Sequence, residues 1–371
     1  MRVLPLFLFA CTSPKVDSAV EPGPDSPADT SPPEFPSTAV DVSADLESIR
    51  ADHDLPALSG ARLEDGVVTA LGVTGVRARG LEPEALWNDV WHLGSCTKAM
   101  TGTLVSRLVV EGVLAWDETL ETLLPDLTLT AEDASLTPTQ LLSHQAGLAT
   151  NIPASIWSTL WEDGDVMEQR AWFAQEILAL DAAQPIGTYT YSNSGYMVVG
   201  AALEERTGSS WEALMQEHLF DPLGMDSCGF GNAAVDPSVP DQPWPHGADG
   251  VAIPPGPGDD NPPALGPAGT VHCSLVDWGR FVAAHVERDT DFLPEQQWDH
   301  LHAPAVDQYA MGWLAVERSW GEGTVLTHNG SNTLNFAVVW AAPETGALFL
   351  AATNQGDAGA ATDAVVGSLI P

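Results

Sequence analysis

The strands of this chain gather at its two ends, and that distribution restricts the fold more than any other feature. Residues 57–78, "ALSGARLEDGVVTALGVTGVRA", read as two strands joined by the turn signal Glu64-Asp65-Gly66. At the far end, "YAMGWLAVERSW", "GTVLTHNG", "NFAVVWAAPETG" and "ALFLAATN" read as four more, with Pro343 to Gly346 marking a tight hairpin. The expected class is α+β: an antiparallel sheet from both termini, flanked by helices, with a mostly helical middle.

Helical segments fill in the rest. "VSADLESIRADHD" predicts a short helix with Ser43 as its N-cap, and "ATDAVVGSLI" predicts a closing one. In "CTKAMTGTLVSRLVVEGVLAWDETL", Met100, Leu104, Val105, Leu108 and Val109 keep helical spacing until Gly112. "YMVVGAALEERTGSSWEALMQEHLFDPLGM" reads as two helices broken at Thr207-Gly208. Residues 231–268, heavy in Pro and Gly, form a loop long enough to be functional or mobile.

The amino terminus is different in kind. Met1, Arg2 and the apolar "VLPLFLFA" before Cys11 are too short to span a bilayer and read as a lipoprotein-type export signal over 1–11, with Cys11 the residue to be lipidated. Residues 12–42, dense in Pro, Ser, Asp and Thr, cannot bury enough surface to fold and are expected to form a disordered tether. The folded domain is then 43–371, exported to the cell envelope and touching a membrane only through the anchor at Cys11. Export permits a disulfide, and Cys228 with Cys273 is the pairing to test, since Cys96 lies inside a helix start.

Charge narrows the partners. With 13 basic and 51 acidic residues the formal charge is −38, so no basic surface exists to neutralise phosphates and nucleic acid is excluded. Only two lysines occur, Lys15 in the leader and Lys98 three residues after Ser95. If a helix begins at or just after Ser95, both side chains lie on one side, one turn apart. A hydroxyl becomes a nucleophile when a base takes its proton, and an amine can do so only when neutral. Burial would lower the lysine pKa, while the helix N-terminus favours an oxyanion beside Ser95.

Two further elements follow. In "PIGTYTYSNSGY", Tyr191 could relay a proton to a leaving group, and Asn193 could hold Lys98 or a substrate amide. In "LTHNGSN", Gly330 would let a substrate lie against a strand edge, the Ser331 NH could donate to an oxyanion, and His328 offers a cation titrating near pH 6.5 if unperturbed.

Ser95-Cys96-Thr97-Lys98, Tyr191-Ser192-Asn193 and His328-Asn329-Gly330, in that order, resemble the motif set of serine beta-lactamases and penicillin-binding proteins. The spacing is most similar to the class C beta-lactamase family and its esterase and D-aminopeptidase relatives. "LTPTQLLSHQAGL", "SNSGYMVVGAALEERTG" and "LFDPLGM" add to the likeness, which covers residues 43–371.

The resemblance implies a beta-lactamase/transpeptidase-like fold and a serine hydrolase that needs no cofactor or metal and acts on a small ester, amide or peptide through an acyl-serine. It makes Ser95 the nucleophile, with Lys98 and Tyr191 sharing the proton transfers. Asn193 would orient Lys98 and substrate, and the NH groups of Ser95 and Ser331 would form the oxyanion hole. His144 and Gly147 belong to the similar text and read as structural. His328 departs from the lysine usual in members devoted to beta-lactams. It makes the carboxylate-binding cation depend on pH, so turnover of anionic substrates is expected to weaken as pH rises through its pKa.

Other readings are weaker. No Gly-x-Ser-x-Gly occurs, which argues against an alpha/beta-hydrolase. "DHLH", Asp299 to His302, lacks zinc spacing and reads as a solvated turn. Trp157, Trp161 and Trp172 are candidates for an apolar wall of the acyl pocket and equally for core packing. The rival function is a lipid-tethered penicillin-binding or sensing protein of the same fold with little or no turnover.

Overall fold

The computed structural model describes residues 34–371; the export signal, Cys11 and most of the tether lie outside them. Ten strands are found among the described residues. The large sheet contains β1 (Val40–Asp41), β2 (Ala57–Glu64), β3 (Val67–Gly75), β7 (Leu314–Arg318), β8 (Gly323–Ser331), β9 (Phe336–Ala342) and β10 (Ala347–Thr353). Their order is β1-β3-β2-β10-β9-β8-β7. The two ends of the chain meet where β10 pairs antiparallel with β2, Leu350 opposite Ala61. Every residue of β10 is buried, as a strand covered on both faces must be. Helices Ser43–Asp52 and Gly359–Leu369 cover one face, and helix Leu275–Glu287 packs on the other.

The expected α+β class, antiparallel sheet and flanking helices are all present. Only the two-residue β1 runs parallel, beside β3. A second sheet, ordered β4-β6-β5, joins β4 (Val90–His92), β5 (Gly229–Phe230) and β6 (Val271–Ser274). The Cys228–Cys273 disulfide crosses from β6 to the residue before β5.

Three local expectations are corrected. The compact unit starts at Phe35, so the last tether residues join the fold: Phe35 packs edge-on to Trp87, and Val40–Asp41 pairs with β3. Ser43 does not cap its helix. It is the first helical residue, its hydroxyl accepts from the Val73 amide of the neighbouring strand, and Asp41 accepts from the Ser43 amide instead. Asp299 to His302 end a helix, Glu295–His302, where Asp299 pairs with Arg288 and the half-buried His302 ring lies 2.9 Å from His285 Nδ1.

Helix Thr97–Val110 runs through the centre, buried from Thr97 to Ser106. Helix Asn193–Thr207, ended by Gly208 in the left-handed region (φ +71°), is also buried almost throughout. Burial on every side explains why their sequences carry little amphipathic contrast.

Candidate active site

Ser95 sits in a single 3-10 turn, Gly94–Cys96, immediately before the Thr97–Val110 helix. The turn presses against the end of β8. Gly94 has φ +50°, and a Cβ there would strike the Ser331 amide nitrogen; a Cβ on Gly330 would strike the Leu93 carbonyl and the Ser95 amide. Glycine at both positions brings the Ser95 and Ser331 amides together at one cleft, where they can share an oxyanion.

Lys98 lies one helical turn on and is completely buried. Its Nζ is 2.8 Å from Asn193 Oδ1, 2.7 Å from the Ala268 carbonyl and 3.0 Å from Ser95 Oγ. Burial disfavours the ammonium and brings the pKa down to about 7. A neutral amine has two hydrogens, and Asn193 and Ala268 accept both. Its lone pair is then left for the Ser95 hydroxyl.

Tyr191 Oη donates to Ser95 Oγ from the other side, at 2.8 Å. Burial pushes the Tyr191 phenol upward, so it stays protonated near neutral pH. Lys98 is therefore the group able to act as base, while Tyr191 holds a proton that it can pass on.

The tyrosine segment is fixed from beneath by His144. Its carbonyl accepts from the Thr190 amide at 2.9 Å and its Nδ1 from the Ser192 amide at 3.2 Å. Burial keeps this ring neutral, and all four tyrosines of the chain, Tyr189, Tyr191, Tyr196 and Tyr309, pack around it. Ser192 caps the helix that begins at Asn193, accepting from the Ser194 amide.

His328 lies in β8, as expected, but not as the cation expected of it. It is buried, its Nε2 lies 3.2 Å from Tyr309 Oη, and its Nδ1 is 2.5 Å from the Asn329 carbonyl. Burial, with Lys98 nearby, lowers its pKa to about 4, so it is neutral between pH 5 and 8 and offers no cation to a carboxylate.

The cleft in front of Ser95 encloses about 400 Å³. Asn193, Ser331, Asn332, Asp260 and Asn261 supply polar wall, while Trp157, Trp161 and Leu265 supply apolar wall. Trp172 lies elsewhere, partly buried against the core. No arginine lines the cleft, and no cluster suited to a metal ion exists among the described residues.

The sequence reading missed the Ala268 carbonyl, because backbone acceptors carry no residue signature; its only trace is the glycine-flanked "GPAG" closing the long loop. Tyr309 and Asp260 were missed because neither lies in or beside one of the three catalytic motifs.

A serine hydroxyl held between a buried amine and a protonated phenol, with two amides beside it, defines a serine hydrolase. The sequence profile of the Beta-lactamase family matches residues 42–367, and the chain belongs to that family. Penicillin-binding protein 4 of Amycolatopsis lactamdurans is 27% identical over 341 residues, covering 84% of each chain. Esterase EstB of Burkholderia gladioli is 30% identical over 181 residues, covering 45% of this chain and 46% of its own.

Among solved structures, the octameric penicillin-binding protein homologue of Pyrococcus abyssi superposes with TM-score 0.72 at 22% identity, over 88% of this chain and 77% of its own. Class C beta-lactamase from Rhodobacter sphaeroides gives TM-score 0.70 at 18% identity, over 88% and 98%. Both share the beta-lactamase/transpeptidase fold with this chain.

Proposed function

We propose that this hydrolase cleaves small carboxylic esters or amides through an acyl-Ser95 intermediate. The observation that carries the reading is the Lys98 amine, fully buried with its two hydrogens taken and 3.0 Å from Ser95 Oγ. In acylation, Ser95 Oγ attacks the carbonyl carbon as its proton passes to Lys98. The resulting oxyanion rests on the Ser95 and Ser331 amides, and Tyr191 gives its proton to the leaving oxygen or nitrogen. The proton held by Lys98 then passes to the Tyr191 phenolate, whose ring centroid lies 5.0 Å from Nζ. Deacylation repeats the steps with water. The absence of an arginine from the cleft and the neutrality of His328 favour substrates without a carboxylate beside the scissile bond.

A fluorophosphonate probe tests the acyl-serine chemistry directly. Wild type is expected to be labelled and Ser95→Ala not at all; labelling that persists in Ser95→Ala refutes the assignment. A second reading, slow-turnover penicillin binding, is favoured by the likeness to Penicillin-binding protein 4 along most of both chains. Intact mass after exposure to a penicillin and to a p-nitrophenyl ester separates the two: a long-lived penicilloyl adduct supports the binder, rapid return to the free mass the hydrolase. We further propose that the protein works in the cell envelope, anchored at Cys11, a reading favoured by the Cys228–Cys273 disulfide. Metabolic labelling with a fatty acid, lost in Cys11→Ala, is the expected result.

A further inference from the structure

The long loop 231–268 carries two adjacent side chains, Asp260 and Asn261, whose bonds reach each working part of the site. The Asp260 side chain is only 7% exposed. Its Oδ1 accepts from Asn332 Nδ2 at 2.8 Å and from the Asn261 amide at 2.7 Å. Asn332 immediately follows Ser331, and its own Oδ1 accepts from the Asn335 amide at 2.9 Å, closing the end of β8 into a fixed turn.

On its other side, Asp260 Oδ1 is 2.8 Å from His92 Nε2, an electrostatic contact and not a hydrogen bond. His92 Nδ1 accepts from the Gly94 amide at 3.1 Å. That bond leaves the ring proton on Nε2, facing the carboxylate. Asp260 thus connects the residue before Ser95 with the residue after Ser331.

Asn261 makes the third connection. Its Nδ2 donates to the Gly269 carbonyl at 3.0 Å, one residue beyond the Ala268 carbonyl that holds Lys98. These bonds span segments far apart in sequence, around 94, 268 and 332.

We propose that Asp260 and Asn261 are positioning residues: they fix the spacing between Ser95, the Ser331 amide and the carbonyl that orients Lys98. The proposal rests on the acyl-Ser95 reading. Neither side chain exchanges a proton with substrate. The physical basis is that small displacements between nucleophile, base and oxyanion donors cost rate steeply, whereas affinity for a small substrate depends on the walls of the cleft. The strongest competing role is direct substrate contact, since both residues line the cleft.

The test combines two measurements on Asp260→Ala, Asp260→Asn, Asn261→Ala, His92→Ala and the Asp260→Ala/His92→Ala double variant, each checked by thermal melting. One is the rate of Ser95 labelling by a small uncharged fluorophosphonate; the other is kcat and KM on the p-nitrophenyl ester that wild type turns over best. Asp260→Ala and Asn261→Ala are expected to slow labelling and kcat by about 10- to 100-fold, with KM changed by less than about threefold. Asp260→Asn keeps Oδ1 as an acceptor and is expected to recover most of the loss. The double variant is expected to be no slower than its slower parent, because both substitutions break one chain of contacts.

A raised KM with kcat intact, additive losses in the double variant, or wild-type labelling in Asp260→Ala overturns the proposal while leaving the acyl-serine reading in place. A wild type that the probe does not label removes both. Should Asp260→Ala fail to fold, Asn261→Ala and Asp260→Asn against wild type carry the same comparison.

Discussion

Lys98 and His328 show how burial assigns roles that residue type alone leaves open. Both are weak bases pressed into the interior beside Ser95, and burial lowers both: Lys98 to about 7, where a base is useful, and His328 to about 4, where it is silent. The rate of acylation is therefore expected to rise with pH through about 7 as Lys98 loses its proton, and Lys98→Arg, permanently charged, is expected to abolish it. A profile flat across pH 6 to 8, or an active Lys98→Arg, would refute Lys98 as the base. His328→Ala is expected to leave the shape of that profile between pH 5 and 8 unchanged while lowering stability by about 1–3 kcal/mol, since Tyr309 loses its buried partner. A stopped-flow pH series on the variant, with a denaturant melt, checks both halves.

The lysine also carries a stability cost with a definite sign. Its folded pKa lies below the ordinary value of 10.5, so between about pH 7 and 10.5 the unfolded chain holds more protons and stability from this group rises with pH. Below about pH 7 the full cost is present, up to about 5 kcal/mol at about 1.4 kcal/mol per pH unit. Lys98→Met should thus be inactive yet more stable than wild type at pH 7. The gap in melting temperature should shrink toward pH 10; a gap independent of pH would contradict the burial argument.

Among the secondary-structure elements, the site depends on how the long loop is fastened rather than on its sequence. Arg170, fully buried in helix Val166–Leu178, pairs with Glu204 and Glu212 and donates to the carbonyls of Ala264 at 3.1 Å and Pro263 at 3.0 Å. One guanidinium thereby ties the end of the loop to two neighbouring helical segments, just before the Ala268 carbonyl that orients Lys98. Arg170→Ala would leave the Glu204 carboxylate buried without its partner, and burial already pushes that carboxyl upward. The expected loss is about 3–5 kcal/mol in urea melts, with Arg170→Lys intermediate because a single ammonium cannot satisfy four acceptors in a plane. A variant as stable as wild type would mean that the loop is held elsewhere.

Across the entire molecule the dominant physical fact is charge. A net −38 on a chain of 371 residues is self-repulsion that folding concentrates into a smaller volume. Screening should relieve it: raising sodium chloride from about 0.01 M to about 1 M, which shortens the Debye length from about 30 Å to about 3 Å, is expected to raise the melting temperature. Buried pairs such as Arg170 with Glu204 are screened much less, so the gain should be similar in Arg170→Ala. A melting temperature that falls with salt would show that exposed ion pairs outweigh the repulsion.

Much was legible before any fold was known. The apolar run "NFAVVWAA" and the turn at Glu64-Asp65-Gly66 specified strands and hairpins, because strand and turn propensities act over a few residues. Ser95, Lys98, Tyr191 and Asn193 stood out because each lies in a short motif whose chemistry requires that residue type, and the structure links the four in one chain of hydrogen bonds, Tyr191 to Ser95 to Lys98 to Asn193. The start of the fold at Phe35, the displaced cap at Ser43, the neutral His328, the Ala268 carbonyl and the contacts of Asp260 were not legible. Each depends on what packs against a group from a distant part of the chain. Desolvation and backbone acceptance arise only when segments near 95, 190, 268 and 330 close on one another, and no local pattern records that closure.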